Sequence, residues 1–131
     1  MTEGSNSGVF FRAPHVDNPV YKALEVQLLD DYAKKHAKLE DWQLNGSIYK
    51  IKAPSKQVSK KADEWQQMVL LCDGPMVQVS LNGERIIDID LNNHLDKAEQ
   101  FPGVKGRKGA IGLQMHNSTV YFRNIRITEL N

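Results

Sequence analysis

Apolar and polar residues alternate in short runs along most of this chain, and glycine, proline, asparagine or aspartate interrupts each run. Leu24, Val26 and Leu28 point one way while Glu25 and Gln27 point the other, so Val20–Leu29 reads as a strand with one apolar face, ended by Asp30-Asp31. A shorter strand, Gly8–Arg12, precedes it and stops at Ala13-Pro14. Trp65–Cys72 and Met76–Leu81 read as adjacent strands around Asp73-Gly74-Pro75. Asn82-Gly83 then supplies the positive φ values of a tight hairpin, and Ile87, Ile89 and Leu91 alternate with Asp88 and Asp90 on the returning strand. Ser47–Lys52, after the turn signal Asn45-Gly46, reads as one more short strand. Near the end, Ile111, Leu113 and Met115 alternate with Gly112, Gln114 and His116; the polar turn Asn117-Ser118-Thr119 follows, and Val120–Ile127 reads as the returning strand.

Helix is scarce in this pattern. Tyr32, His36 and Leu39 have helical spacing within residues 32–45, although a loop with one helical turn fits as well. Ala53–Ala62 is polar, lysine-rich and contains Pro54, as an exposed loop would, and 92–106 is a longer connection with a helical turn around His94–Gln100. Many short strands with little helix predict an all-β antiparallel sandwich. At 131 residues, the chain is one domain, 1–131, with no internal repeat or linker.

Composition narrows the function classes. Lys and Arg total 17 against 16 Asp and Glu, a net charge of +1 that argues against a phosphate-seeking nucleic-acid surface. No run has the length of a membrane-spanning helix, and the first residues carry no basic–apolar–small leader pattern. The one cysteine, Cys72, cannot form an intramolecular disulfide, and its apolar strand makes it an inert thiol; the compartment stays open.

The chemistry-bearing residues sit where a core would not want them. Glu25 and Gln27 share one strand face, Gln114 and His116 share another, Arg12 ends the first strand opposite the Val9 and Phe11 direction, and Arg123 lies inside Val120–Ile127. If these faces line one surface, they form a cleft with a carboxylate, two amides, an imidazole and guanidinium groups, which suits the many hydroxyls of a sugar. Each also has a plainer reading: a solvated strand face for Glu25 and Gln27, loop capping for His116, a cross-sheet ion pair for Arg123, and strand termination for Asp30-Asp31. Trp42, in a polar loop, is a better sugar-stacking platform than Trp65, which reads as core; Tyr32 and Tyr49 are further candidates. No recognised metal, nucleophile-elbow or phosphate-loop motif is present, and a divalent ion on Asp30, Asp31 and His116 is the metal arrangement left open.

Several segments in order, Ser5-Asn-Ser-Gly-Val-Phe-Phe-Arg12, Leu24-Glu-Val-Gln-Leu-Leu-Asp-Asp31, Gly46-Ser-Ile-Tyr49, Glu64-Trp65, Val77-Gln-Val-Ser-Leu-Asn-Gly83 and the 109–127 stretch, resemble the 3-keto-disaccharide hydrolase family over almost the whole chain. The resemblance implies a concanavalin-like jelly roll, with Glu25, Gln27, Asp30, Gln114, His116 and Arg123 at positions where family members carry the same residues. It implies cleavage of a glycosidic bond in a sugar oxidised at C3, by C2 proton abstraction, elimination and hydration. Glu25 and His116 are then the acid and base in unassigned order, Arg12 and Arg123 the charge stabilisers, and Gln27, Gln114 and Tyr49 the groups that orient hydroxyls, with Asp30, Asp31 and Trp42 also in the binding site. The rival is a non-catalytic carbohydrate-binding module of the same fold. Members are often periplasmic or secreted, and they begin with strands upstream of the Asn-Ser-Gly motif. A jelly roll without those strands exposes an apolar edge, so a homo-oligomer, most simply a two-fold dimer, is expected.

Overall fold

Two three-stranded antiparallel sheets pack face to face in the computed structural model, which describes residues 1–130. Strands β1 (Asn6–Ala13), β2 (Leu24–Leu29) and β6 (Ala110–Leu113) form one sheet in the order β2–β1–β6. Strands β3 (Met68–Asp73), β4 (Met76–Leu81) and β5 (Glu84–Asp90) form the other in sequence order. The β-sandwich is therefore the architecture that the alternation predicts. Its core lies where the two apolar faces meet: Phe11, Leu24 and Val26 from the first sheet, and Val77, Val79, Leu81, Ile87 and Ile89 from the second. Leu91, Phe101 and Val104 of the following connection join the same cluster. Each such side chain, fully buried, contributes on the order of 1.5–3 kcal/mol.

Local chemistry moves several boundaries. β2 starts at Leu24, not Val20, because Asn18-Pro19 begins a 3-10 turn: the Asn18 side chain accepts from the Val20 N–H, and Pro19 supplies the fixed φ of the first turn. Residues 32–45 hold two such turns, Lys34–His36 and Asp41–Gln43, and no longer helix. The expected strand Ser47–Lys52 reduces to a bridge from Ile48 to Val26 and a tight turn through Lys50, whose φ is 60°. Segment 46–49 nevertheless runs beside β2, with Gln27 donating to Ser47 O at 3.0 Å and Tyr49 donating to Glu25 O at 2.9 Å.

The larger departure is at the end of the chain. Val120–Ile127 is not a strand, and residues 120–130 make no backbone hydrogen bond to another described residue. A strand needs a partner as well as an alternating pattern, and β6 has its paired neighbour in β1 alone. Tyr121, Ile125 and Ile127 are left 63%, 66% and 70% exposed. Ile111 and Leu113, on the side of β6 that Val9 also faces, are likewise exposed. Among the described residues no helix is long and apolar enough to cross a membrane.

Candidate functional site

Strand register arranges the polar residues of the first sheet into rows on its outer face. Gln27 pairs with Gly8, and Glu25 with Phe10. On the far side of β1, Phe10 pairs with Gly112, and Gln114 donates its N–H to Gly8 O at 2.9 Å. On the far side of β2, the Val26–Ile48 bridge sets Tyr49 against Glu25 and Ser47 against Gln27. One row thus reads Tyr49, Glu25, Phe10, Gly112, and the next Ser47, Gln27, Gly8, Gln114. Paired residues on neighbouring strands project from the same face, so Glu25, Gln27, Gln114 and Tyr49 share one surface. Trp42 meets the Tyr49 ring edge-on, with centroids 5.1 Å apart.

Gly8 is the position that alternation alone does not mark as functional. Its missing side chain leaves the space that Glu25 occupies, since a Cβ there would overlap Glu25 Oε1 and come within 2.6 Å of Cδ. A glycine in the middle of an otherwise well-formed strand is the sequence signal for such a close approach. Glu25 and Gln27 are 7% and 4% exposed, so this polar face is not simply solvated. Phe10 and Tyr49 flank Glu25 across the sheet, and Phe10 itself is buried with Ala13 and Ala23 against Val20 and Ala110. Burial pushes the Glu25 carboxyl up to about 7 from its usual value near 4.5. A carboxyl poised there can hold or release a proton near neutral pH. Gln114 Oε1 is buried with no hydrogen-bond partner among the described residues.

Other expected site residues go elsewhere. Arg12 does not follow the alternation, because a bulge between Phe10 and Ala13 places it at φ 49° and turns its guanidinium towards the second sheet, where Nη2 donates to Gly74 O. Gly109 lets the chain cross there, since a Cβ on it would lie within 2.6 Å of Arg12 Cα. Burial lowers the Arg12 pKa and raises that of the neighbouring Cys72 thiol, which fits the inert role expected of Cys72. Arg123 lies over the Trp65 ring with its guanidinium carbon 3.8 Å from the centroid, and Trp65 is half exposed under it instead of in the core. Gly74 follows the last residue of β3 and Trp65 precedes its first, so the two arginines are a strand length apart, roughly 20 Å for six residues. They cannot serve one reacting centre together.

The aspartates hold loops. Asp30 accepts from the N–H groups of Gly4 at 2.9 Å and Tyr32 at 3.1 Å, while Asp31 accepts from Asn45 N–H at 2.9 Å and the Ser59 hydroxyl at 2.7 Å. His116 is exposed two residues past Gln114 and makes no side-chain hydrogen bond among the described residues. Asp30, Asp31 and His116 therefore do not converge on an ion, and no group of three potential metal ligands occurs among the described residues. Surface hollows of about 410 and 370 Å³ lie off the Glu25 face, the first lined by Lys22, Asp96, Lys97, Glu99 and Gln100 and the second by Glu3, Gly4, Ala33, Lys34 and Lys35. Neither offers an aromatic wall, so the chemistry favours the sheet face over these hollows.

A family model described as a 3-keto-alpha-glucoside-1,2-lyase-like domain matches residues 1–128. A protein of Bacteroides thetaiotaomicron named 3-keto-disaccharide hydrolase is 26% identical over 162 aligned positions, covering 100% of this chain and 56% of its own length. Two solved structures of candidate glycosyl hydrolases from Parabacteroides distasonis superpose well. One has a TM-score of 0.71 at 26% identity, covering 89% of this chain and 61% of the other; the second has 0.67 at 28%, covering 70% and 47%. The chain thus spans about half the length of the relatives it matches.

Proposed function

The chain belongs to the 3-keto-α-glucoside-1,2-lyase-like domain family, and from that membership we propose that it cleaves glycosidic bonds of sugars carrying a ketone at C3. The observation that carries the reading is Glu25: a buried carboxyl with a pKa of about 7, on one sheet face with Gln27, Gln114 and Tyr49, in a chain of this family.

The chemistry follows from the ketone. The carbonyl makes the C2 proton acidic, and the C1 glycosidic oxygen lies β to it. A base removes the C2 proton, the enolate expels the aglycone as C1=C2 forms, and water then adds at C1. The reaction asks for one group that takes a proton and one that protonates the leaving oxygen. Glu25 and His116 fill these roles, Gln27 and Gln114 supply amides to the sugar hydroxyls, and Tyr49 with Trp42 forms an aromatic flank. Arg12 and Arg123 are not included as a pair, since their positions are a strand length apart. An ordinary two-carboxylate glycosidase mechanism is less favoured, because Asp30 and Asp31 are committed to loop amides and Ser59.

The test is aglycone release from a 3-keto-glucoside beside the unoxidised glucoside. Release from the ketone substrate alone is the expected result. Binding of the sugar without release from either substrate would make the protein a carbohydrate-binding module, and no binding at all would remove the sugar reading.

A further inference from the structure

Two neighbouring polar groups on the outer face of the first sheet lack partners among the described residues. Gln114 Oε1 is buried and accepts no hydrogen bond among the described residues. A buried acceptor left unpaired costs about 1–3 kcal/mol, so a donor is to be expected within its reach. Gln114 stands beside Gly8, which has no side chain, and the space above Gly8 is taken by the Glu25 carboxyl reaching diagonally from β2. Oε1, Cδ and Cγ of Glu25 all lie where a Gly8 Cβ would contact them. An ionised carboxylate has acceptors only, and two acceptors side by side, with little water between them, repel each other. A neutral carboxylic acid carries one O–H donor.

We infer that Glu25 rests as the neutral acid over Gly8 and donates its O–H to Gln114 Oε1. The surroundings agree with it. Phe10 and Gly112, on one side, are uncharged, and on the other stand Tyr49 and Lys50, whose ammonium is directed at the Tyr49 ring, 6.0 Å from its centroid. His116 is exposed beyond Gln114, and Asp30 and Asp31 at the end of β2 are occupied by loop donors. None of these is an ion-pair partner of Glu25 among the described residues.

The inference deepens the proposed function and rests on it for one step only, the assignment of roles. A resting acid is a proton donor, so Glu25 protonates the aglycone oxygen as the C1–O bond breaks and its electron pair leaves with that oxygen. His116 is then the group that takes the C2 proton. In hydration, water gives a proton to the Glu25 carboxylate and its hydroxyl to C1, the imidazolium returns its proton to C2, and both groups are back in their starting forms. Gln114 is a positioning residue that holds the Glu25 proton in place.

The test needs no sugar. Carboxyl ¹³C NMR of the free protein, with the Glu25 signal identified by its loss in Glu25→Gln, should show a midpoint near 7. In Gln114→Met, which keeps the bulk and removes the amide acceptor, the midpoint should fall by roughly 0.5–1 pH unit, because the neutral form loses its hydrogen bond. An unchanged or higher midpoint would overturn the inference, since burial alone, or an amide N–H facing an ionised carboxylate, gives those signs. Should that variant fail to fold, the Gln114 carbonyl ¹³C signal of the unmodified protein decides: it should shift with the Glu25 midpoint, and a signal flat through that range contradicts the pair. Failure of the turnover assay would count against the proposed reaction and leave this titration result standing.

Discussion

The outward faces of the two sheets carry polar residues at the same spacing and hold them in opposite ways. On the second sheet, Gln78 and Asp88 pair across β4 and β5, and Asp88 receives Gln78 Nε2 at 3.2 Å and Arg85 Nη1 at 2.9 Å in full view of solvent. On the first sheet, Glu25 and Gln27 occupy equivalent outward slots but are buried, and no arginine or lysine pairs with Glu25 among the described residues. A carboxylate in water with an arginine beside it keeps an ordinary role on the surface. A carboxyl held away from water without a counter-charge costs stability, and natural chains keep such groups where they do chemistry. The two-residue period tells which way a side chain points; only the tertiary surroundings tell whether water reaches it.

The largest stability difference between the two faces should come from pH. The folded-state pKa of Glu25 is raised to about 7, so the folded protein binds a proton there that the unfolded chain releases near 4.5. Its contribution is therefore fully present below about 4.5 and is lost as pH rises through about 7, by roughly 3 kcal/mol at most. Urea melts at pH 5 and pH 8 should show the unmodified protein losing stability relative to Glu25→Gln. Equal losses in both would mean that Glu25 is not buried as described.

Asp30→Ala removes a buried acceptor of two backbone N–H groups and should destabilise by about 1–3 kcal/mol. Turnover of the folded fraction should hold; a selective loss of turnover would return Asp30 to the binding site. Gly8→Ala puts a methyl group into the space of the Glu25 carboxyl, and overpacking of this kind costs about 1–3 kcal/mol. Here turnover should fall more than the melting temperature suggests, and a fully active, equally stable variant would break the Gly8–Glu25 arrangement. His116→Ala touches an exposed imidazole, so its effect on a thermal melt should be under about 1 kcal/mol. Its turnover should drop by roughly 10²–10⁴-fold, and unimpaired activity would exclude His116 from proton transfer.

Most of the sandwich is legible in the sequence. The Asn82-Gly83 hairpin, the ends of β4, and the inward set Leu24, Val26, Val77 and Val79 follow from alternation and turn chemistry. Where the pattern and the fold differ, tertiary partners decide. Val120–Ile127 has a strand's pattern but no strand beside it among the described residues, and Ser47–Lys52 keeps only isolated bridges, Ile48 to Val26 and Ile48 to Lys52, because Lys50 turns the chain. The outward face of the first sheet is legible in the same measure. Gln27, Gln114, Glu25 and Tyr49 share a face because register preserves alternation across β2, β1 and β6. Arg12 escapes it because a bulge resets the period, and Asp30 and Asp31 escape because loops distant in sequence claim their oxygens. Gly8, mid-strand, signals a close approach, but that Glu25 is the group that approaches emerges only from the fold.

The proposed chemistry belongs to the covered face and not to the solvated one. Aglycone release from a 3-keto-glucoside, measured side by side for Glu25→Gln and Asp88→Asn, tests it most directly. The account predicts a fall of roughly 10²–10⁴-fold for Glu25→Gln with its fold retained, and near-normal release for Asp88→Asn. Equal activity in the two variants, or a loss confined to Asp88→Asn, would contradict it.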